Sequence, residues 1–499
     1  MKKFDLKVFL LLFFVACANI ANAAEFQTPA QQRNFVLPTT YSELKPFVKE
    51  LAEESPMLRY EVIGRSVEGR EILVLKAGDE DQPERGEKLR VLIFSQQHGN
   101  EQSSKEAALL MLAEIANGRH QNWFRELEIW IVPQVNPDGS EVNQRRNAAN
   151  LDLNRDHLLL QSPEINALHA LFHKYMPHVT IDVHEYQPFT PSWAEFGGFK
   201  NFDVQVGILT NPNVTKKIRR YSNEIALPYI EKRLFEKGYS FHNYLIGPVP
   251  TEGLTRHSTI NINDGRQGLG ILGGMSFIYE GINGRDGFAD NLERRTNSQT
   301  LALVALIDLV AGDARRIRRM TEKSRNELIK GGLKRVAIRK EHIKSNEPLL
   351  LPLVSSTTGM DTTVAVNNFH PLVNPTLWVD SPEAYLIPSS DSLLVSFLKK
   401  HRIRFYESFD DPKNIYAYQI IENRLVQAEA PNNSFPVVEK VKFTGTNLME
   451  EYLLVPLTQL KSHLLVLALE PQSQIGLVQY PIFYYLLDTD RPFPILRVE

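Results

Sequence analysis

The chain contains one cysteine, Cys17. It falls within a stretch that reads as a leader, so the chain beyond it is expected to form no internal disulfide and to hold no zinc through thiolate. A basic excess is also missing: 56 Lys and Arg stand against 59 Asp and Glu, for a net charge of −3. Without that surplus, nothing supplies the phosphate-neutralising attraction that nucleic-acid binding needs, and a small solute or a peptide is the expected partner. The apolar run Val8–Ala16 is too short to cross a bilayer, so no transmembrane span is expected in the mature chain. Internal repeats and low-complexity tracts are lacking as well. What remains is a chain of 499 residues, 43% hydrophobic and 23% charged, which is ordinary for a folded protein of two or three domains.

The N-terminus has the parts of a secretory signal peptide: Lys2 and Lys3, the apolar run, then Ala21-Asn22-Ala23 as a small-residue cleavage site. Cleavage after residue 23 removes three lysines and one aspartate and takes the net charge to −5. An exported chain without disulfides points to a bacterial periplasm or the cell exterior. The alternative is a lipoprotein tethered through Cys17, whose preceding Phe14-Val15-Ala16 is a weak lipobox.

Hydrophobic periodicity then divides the chain. Residues 24–335 alternate strand-like and helical segments, which makes this region an α/β domain with a mixed, largely buried sheet flanked by helices. Strands are expected at Arg90–Ser95, Leu127–Pro133, Val179–His184, Val206–Leu209 and Met275–Glu280. Helices are expected at Tyr41–Glu53, Ser103–Ala116, Pro163–Tyr175, Thr215–Lys237 and Ser298–Ala311, and Glu61–Lys76 reads as a hairpin. A basic run from Arg315 to Arg335 reads as a solvated helix and linker. Residues 336–499 alternate short apolar runs, among them Leu349–Leu353, Ala384–Ile387, Tyr416–Ile421, Val437–Phe443 and Leu464–Leu467, with Pro, Ser and Asn clusters. They read as a smaller, β-rich C-terminal domain of unknown role.

Chemistry concentrates at strand ends. His98 and Glu101 follow the apolar strand Val91–Phe94, in the crevice where open α/β sheets place ligands. His184 closes a second strand in the same way. Two imidazoles and one carboxylate form a catalytic zinc set that leaves a coordination position open for water. Between them lie the turn Asn136-Pro137-Asp138-Gly139 and the run Arg145–Arg155. Arginines there are either solvated surface or a clamp for a substrate carboxylate. Glu280 ends the apolar strand that starts at Met275, and a carboxylate beside a metal in a low-dielectric pocket is a candidate general base.

This ordered set resembles the zinc metallocarboxypeptidase family of the carboxypeptidase A type, over roughly residues 38–320. The resemblance rests on His98-x-x-Glu101, Asn-Pro-Asp-Gly, Arg145 followed by Asp152-Leu153-Asn154-Arg155-Asp156, Ile181-Asp182-Val183-His184 and Phe277–Glu280. It implies one zinc per chain on His98, Glu101 and His184, with Glu280 as the base. It further implies that Arg145 polarises the scissile carbonyl, that Asn154 and Arg155 bind the substrate's terminal carboxylate, and that Asp152 orients the first zinc histidine. The substrate is then a peptide with a free C-terminal carboxylate. Two departures stand out. The stretch Thr255–Asn261 has no counterpart of the family's mobile tyrosine, with Tyr239 and Tyr244 farther upstream, so His257 or Arg256 is the expected substitute in substrate contact. Glu185 follows His184 where many relatives carry a small residue. The alternatives to a carboxypeptidase are a zinc deacylase or amidase of the aspartoacylase type and a non-catalytic peptide-binding relative.

Overall fold

The structure is a computed structural model, and it describes residues 25–78, 88–425, 434–446 and 448–499. The expected signal peptide and Cys17 lie outside the described residues. Eight strands form the main sheet: β1 (Leu58–Arg65), β2 (Glu71–Ala77), β3 (Leu89–Ser95), β4 (Leu127–Val132), β5 (Val179–Tyr186), β6 (Val204–Gly207), β7 (Phe241–Asn243) and β8 (Met275–Ile282). Their order is β1-β2-β4-β3-β5-β8-β6-β7. The central strands β4, β3, β5 and β8 run parallel, and the antiparallel hairpin β1–β2 joins at one side.

Parallel strands covered on both faces have no use for polar alternation, and here they show none. Every residue of β5 and of β8 is buried. Helix α1 (Tyr41–Glu54) carries the expected Leu44, Phe47, Val48 and Leu51 face, all buried. Helices α2 (Gln102–Ala116), α3 (Pro163–Tyr175), α4 (Gly265–Gly270), α5 (Leu292–Gly312) and α6 (Ala314–Ile329) add to the cover, as do the helical segments Lys216–Tyr221 and Leu227–Phe235. Side chains alternate across a strand, so Asp182 and His184 of β5 share one face and Glu185 the other. Gly265 of α4 lies against Asp182, whereas Ser103 of α2 bonds to Glu185, so α4 and α2 cover opposite faces.

The expected elements are present with ends shifted by a few residues. The basic run forms α6, and Gly331 and Gly332 follow it in the left-handed region with φ of 104° and 72°. The apolar run at Leu464–Leu467 is not a strand: Ser462–Leu469 is a helix with every residue buried. A short segment surrounded by protein on all sides is apolar throughout in either conformation, so its pattern carries no period.

The C-terminal region is β-rich. It contributes a five-stranded sheet of Ser434–Lys442, Ile415–Leu425, Leu496–Val498, Ala384–Pro388 and Tyr452–Pro456. Its hydrophobic core is continuous with that of the main sheet, from Leu44 through Val336 and Tyr385 to Ile495. It also pairs with loops of the first region. Phe369–His370 joins Thr255–His257, Leu349–Ser355 joins Gly198–Phe199, and His401 Nε2 donates to the Leu158 carbonyl at 2.7 Å. No helix among the described residues is long and apolar enough to cross a membrane.

Candidate active site

At the end of β3 the backbone turns sharply, with Gln96 in the left-handed region at φ 56°. That turn throws His98 and Glu101 off the sheet edge. The Asn136-Pro137-Asp138-Gly139 stretch is a single helical turn lying under this loop. Asn136 Nδ2 donates to the carbonyls of Gln97 (3.1 Å) and Arg145 (3.3 Å), tying the two functional loops together. Gly99 passes so close that a Cβ there would fall 2.1 Å from the Gly139 carbonyl carbon, so only glycine fits. The Asn-Pro-Asp-Gly motif therefore shapes the site from below and lines none of the cavity.

Three donor atoms converge above it. His98 Nδ1 lies 2.7 Å from Glu101 Oε1, His184 Nδ1 lies 2.8 Å from Glu101 Oε2, and the two Nδ1 atoms are 3.1 Å apart. The far nitrogen of each ring meets a carboxylate: His98 Nε2 lies 3.2 Å from Asp152 Oδ1, and His184 Nε2 lies 2.7 Å from Asp182 Oδ1. An imidazole that donates through Nε2 keeps a lone pair at Nδ1, so the tautomer is set from outside. Arg145 Nη1 sits 3.2 Å from His98 Nδ1, and a guanidinium only donates, which likewise requires a lone pair there.

The electrostatics call for a cation. Burial raises the Glu101 carboxyl, yet His98 and His184 outweigh it and hold the group well below the usual range. Burial likewise disfavours a charged His184, but Asp182 and Glu101 drive its pKa well above the ordinary value. A single proton satisfies one atom of this set. A tetrahedral zinc, with ligands about 2.0–2.1 Å away and so donors about 3.3 Å apart, satisfies all three. His98, Glu101 and His184 are buried and close enough to share one metal ion. The donor set therefore fits zinc.

Glu280 faces the same cavity, of about 240 Å³, together with Arg145, Asn154 and Arg155. β8 pairs with β5 so that Glu280 lies beside His184. Burial pushes its carboxyl up to about 7, against the lowering pull of His184 and His98. The Tyr244 hydroxyl faces the same cavity and favours the ionised form of Glu280. Burial and the Glu280 charge raise the phenol far above its ordinary value, so it stays a donor. Arg145 is held by Asp152 through Nε at 3.0 Å and is half-exposed. Asp152 thus positions both His98 and Arg145. Asn154 Nδ2 lies 3.3 Å from His184 Nε2, and its Oδ1 accepts from Gly265 N at 2.8 Å. Glu185 points across the sheet, where Ser103 and Arg295 bind it at 2.6 and 2.7 Å.

His257 is not brought to this cavity. Its ring packs edge-on against Phe369, 5.0 Å between centroids, and Nδ1 reaches only the Tyr244 carbonyl at 3.4 Å. Sequence reasoning missed Tyr244, Asp182 and Arg266. Asp182 had a signal in its period-two spacing from His184 on one strand. Tyr244, 36 residues before Glu280, had none. A larger cleft of about 670 Å³ around Lys216 and Arg316 holds none of these groups, so chemistry and not size selects the site.

Comparison with known proteins follows the same outline. Residues 44–190 match the family model described as Zinc carboxypeptidase. Carboxypeptidase 2 of Trichophyton rubrum is 27% identical over 93% of this chain and 87% of its own length, and Carboxypeptidase 2 of Trichophyton tonsurans is 25% identical over the same shares. A metallo-carboxypeptidase from Burkholderia cenocepacia superimposes with a TM-score of 0.43 at 20% identity, covering 56% of this chain and 70% of that one.

Proposed function

We propose that the chain, whose residues 44–190 match the zinc carboxypeptidase model, is a carboxypeptidase that hydrolyses the last peptide bond of a peptide ending in a free carboxylate. The observation that carries this reading is the shared cavity. His98, Glu101, the buried Glu280 carboxylate, Arg145, Asn154 and Arg155 open onto one space of about 240 Å³, and His184 stands against His98 and Glu101 to complete the donor set. The relatives aligned over 93% of the chain are named carboxypeptidases, which favours this reading over a deacylase.

His98, Glu101 and His184 would hold one zinc per chain. Bound there, zinc supplies a Lewis acid that polarises the scissile carbonyl and acidifies water. Asn154 and Arg155 grip the terminal carboxylate and fix the register of the peptide, so that the bond cleaved is always the last. Arg145, braced by Asp152, places its guanidinium beside the scissile carbonyl oxygen and stabilises the negative charge that develops on it. Glu280 takes the proton from the attacking water and passes it to the departing amine nitrogen. Its raised pKa suits both halves of that task, since it accepts and releases a proton near neutrality. Tyr244 holds the Glu280 carboxylate in place. The N-terminal segment supports an exported protein.

Incubation of the zinc-loaded protein with a mixed peptide library, read by mass spectrometry, tests the reading. Ladders shortened from the C-terminus are expected. Intact peptides, or release of acyl groups alone, would sink it.

A further inference from the structure

Arg266 is the cavity's unassigned cation. It stands in α4, is 0% exposed, and lines the same cavity as Glu280 and Asn154. Its Nη2 donates to Thr259 Oγ1 at 2.6 Å and lies 3.5 Å from Asp264 Oδ2. Nε and Nη1 have no hydrogen-bond partner among the described residues. Asp264 compensates the charge only in part, because its carboxylate caps α4 through Gln267 N at 2.6 Å and also accepts from Thr259.

The register of the sheet sets its depth. Nη1 lies against Gly207, where a Cβ would meet it at 2.5 Å and would meet Ile278 Cγ2 at 2.6 Å. Gly207 pairs with Ile278, two residues before Glu280 on β8. Strand rise puts that position about 7 Å from Glu280 along the strand. Arg266 thus lies below the reacting groups, with the Tyr244 ring 5.7 Å from its guanidinium carbon. The neighbouring Gly265 is held by Asn154.

A guanidinium stays charged and only donates, and burying its N–H groups unpaired is unfavourable until an acceptor reaches them. In the reading above, Arg145 serves the scissile carbonyl and Arg155 the terminal carboxylate. The group left for Arg266 is the side chain of the last residue. Resting on the carboxypeptidase reading, we propose that Arg266 determines specificity by selecting substrates whose C-terminal residue is acidic, glutamate or aspartate. The side-chain carboxylate accepts from one of these two unpartnered donors, Nε or Nη1, and Tyr244 and Ile278 flank its methylenes.

The test compares four N-blocked dipeptides that differ only in the last residue, Glu, Gln, Leu or Arg, with the zinc-loaded full chain. A site whose buried donors are left unpaired by the wrong ligand rejects it strongly, so kcat/KM for Glu is expected to exceed that for Gln on the order of 100-fold. Arg266→Met is expected to bring that ratio close to one, and Arg266→Lys to keep part of it. Calorimetry with free L-glutamate and L-glutamine should show the same order in the wild type. Should the Met variant fail to fold, the wild-type ratios and the Lys variant decide. Equal or better cleavage of the Leu or Arg peptide overturns the acidic preference and leaves the carboxypeptidase reading intact. A uniform loss on all four peptides in Arg266→Met also overturns it, because Arg266 would then serve the terminal carboxylate. If no dipeptide is cleaved, the carboxypeptidase reading itself fails. Equal binding of the two free amino acids then overturns the role of Arg266, and preferential binding of glutamate upholds it.

Discussion

Two clusters of buried charge, one in each region of the molecule, differ in how completely the protein pairs them. In the C-terminal region Arg497 is surrounded: Nη1 donates to Glu470, Nε to Glu499 at 2.9 Å and Nη2 to the Asp380 carbonyl, while the Tyr385 hydroxyl donates to Glu470 at 2.6 Å. Around β3, β5 and β8 the pairing is unfinished. His98, Glu101 and His184 turn lone pairs toward one another, and Arg266 holds donors without acceptors. Desolvation penalises both clusters. The first compensates it internally and has nothing left to bind. The second leaves a cation and an anion to be supplied from outside, and a site of this kind binds ligands.

Several experiments would break or sharpen that contrast. Removing metal with a chelator should abolish peptide hydrolysis completely, and added zinc should restore it; metal analysis should give one zinc per chain. A chelator-resistant activity would erase the distinction. Glu280→Gln should keep zinc stoichiometry and lower kcat by about 100-fold or more, because the proton acceptor is gone. His98→Ala should instead lower zinc content.

On the fully paired side, Glu470→Leu leaves the Arg497 charge buried with too few partners. It should lower stability by about 3–5 kcal/mol in chemical denaturation, with kcat of the remaining folded protein unchanged. Loss of activity without loss of stability would reverse the assignment of the two clusters. Asp182→Asn should weaken zinc affinity about 10–100-fold, since the outer carboxylate fixes the His184 tautomer.

The smallest effect concerns pH. Glu280 must be ionised to act as base, so kcat/KM should rise with pH through its pKa, which burial raises to about 7. Tyr244 favours the ionised form, so Tyr244→Phe should move this acidic limb upward in pH and slow the reaction only modestly. A limb that stays in place separates Tyr244 from Glu280.

Legibility in the sequence followed range. His98 and Glu101 were readable because three residues of chain and a strand end bring them together. The roles expected of Asp152, Asn154 and Arg155 came from the family resemblance of the Asp152–Asp156 segment and not from its composition. Glu280 and His184 stood out as polar groups terminating apolar strands, and the structure pairs them across β5 and β8. Tyr244 was not readable, since it comes near Glu280 through the pairing of β7 with β6 and of β6 with β8 and not through chain distance. His257 shows the converse, a residue in the expected stretch that pairing with Phe369–His370 turns into a neighbouring sheet.

The sequence by itself determined the alternating α/β order, the buried strands and the chemical types gathered at their ends, because periodicity and strand-end residues act over a few positions. Only the tertiary structure decided which nitrogen of each histidine faces the metal donors, that Tyr244 serves Glu280, and that Arg266 keeps unpaired donors at depth. Those features depend on strand register and on what every neighbouring polar atom has already bonded. That sum over distant segments is carried by no local stretch of the chain.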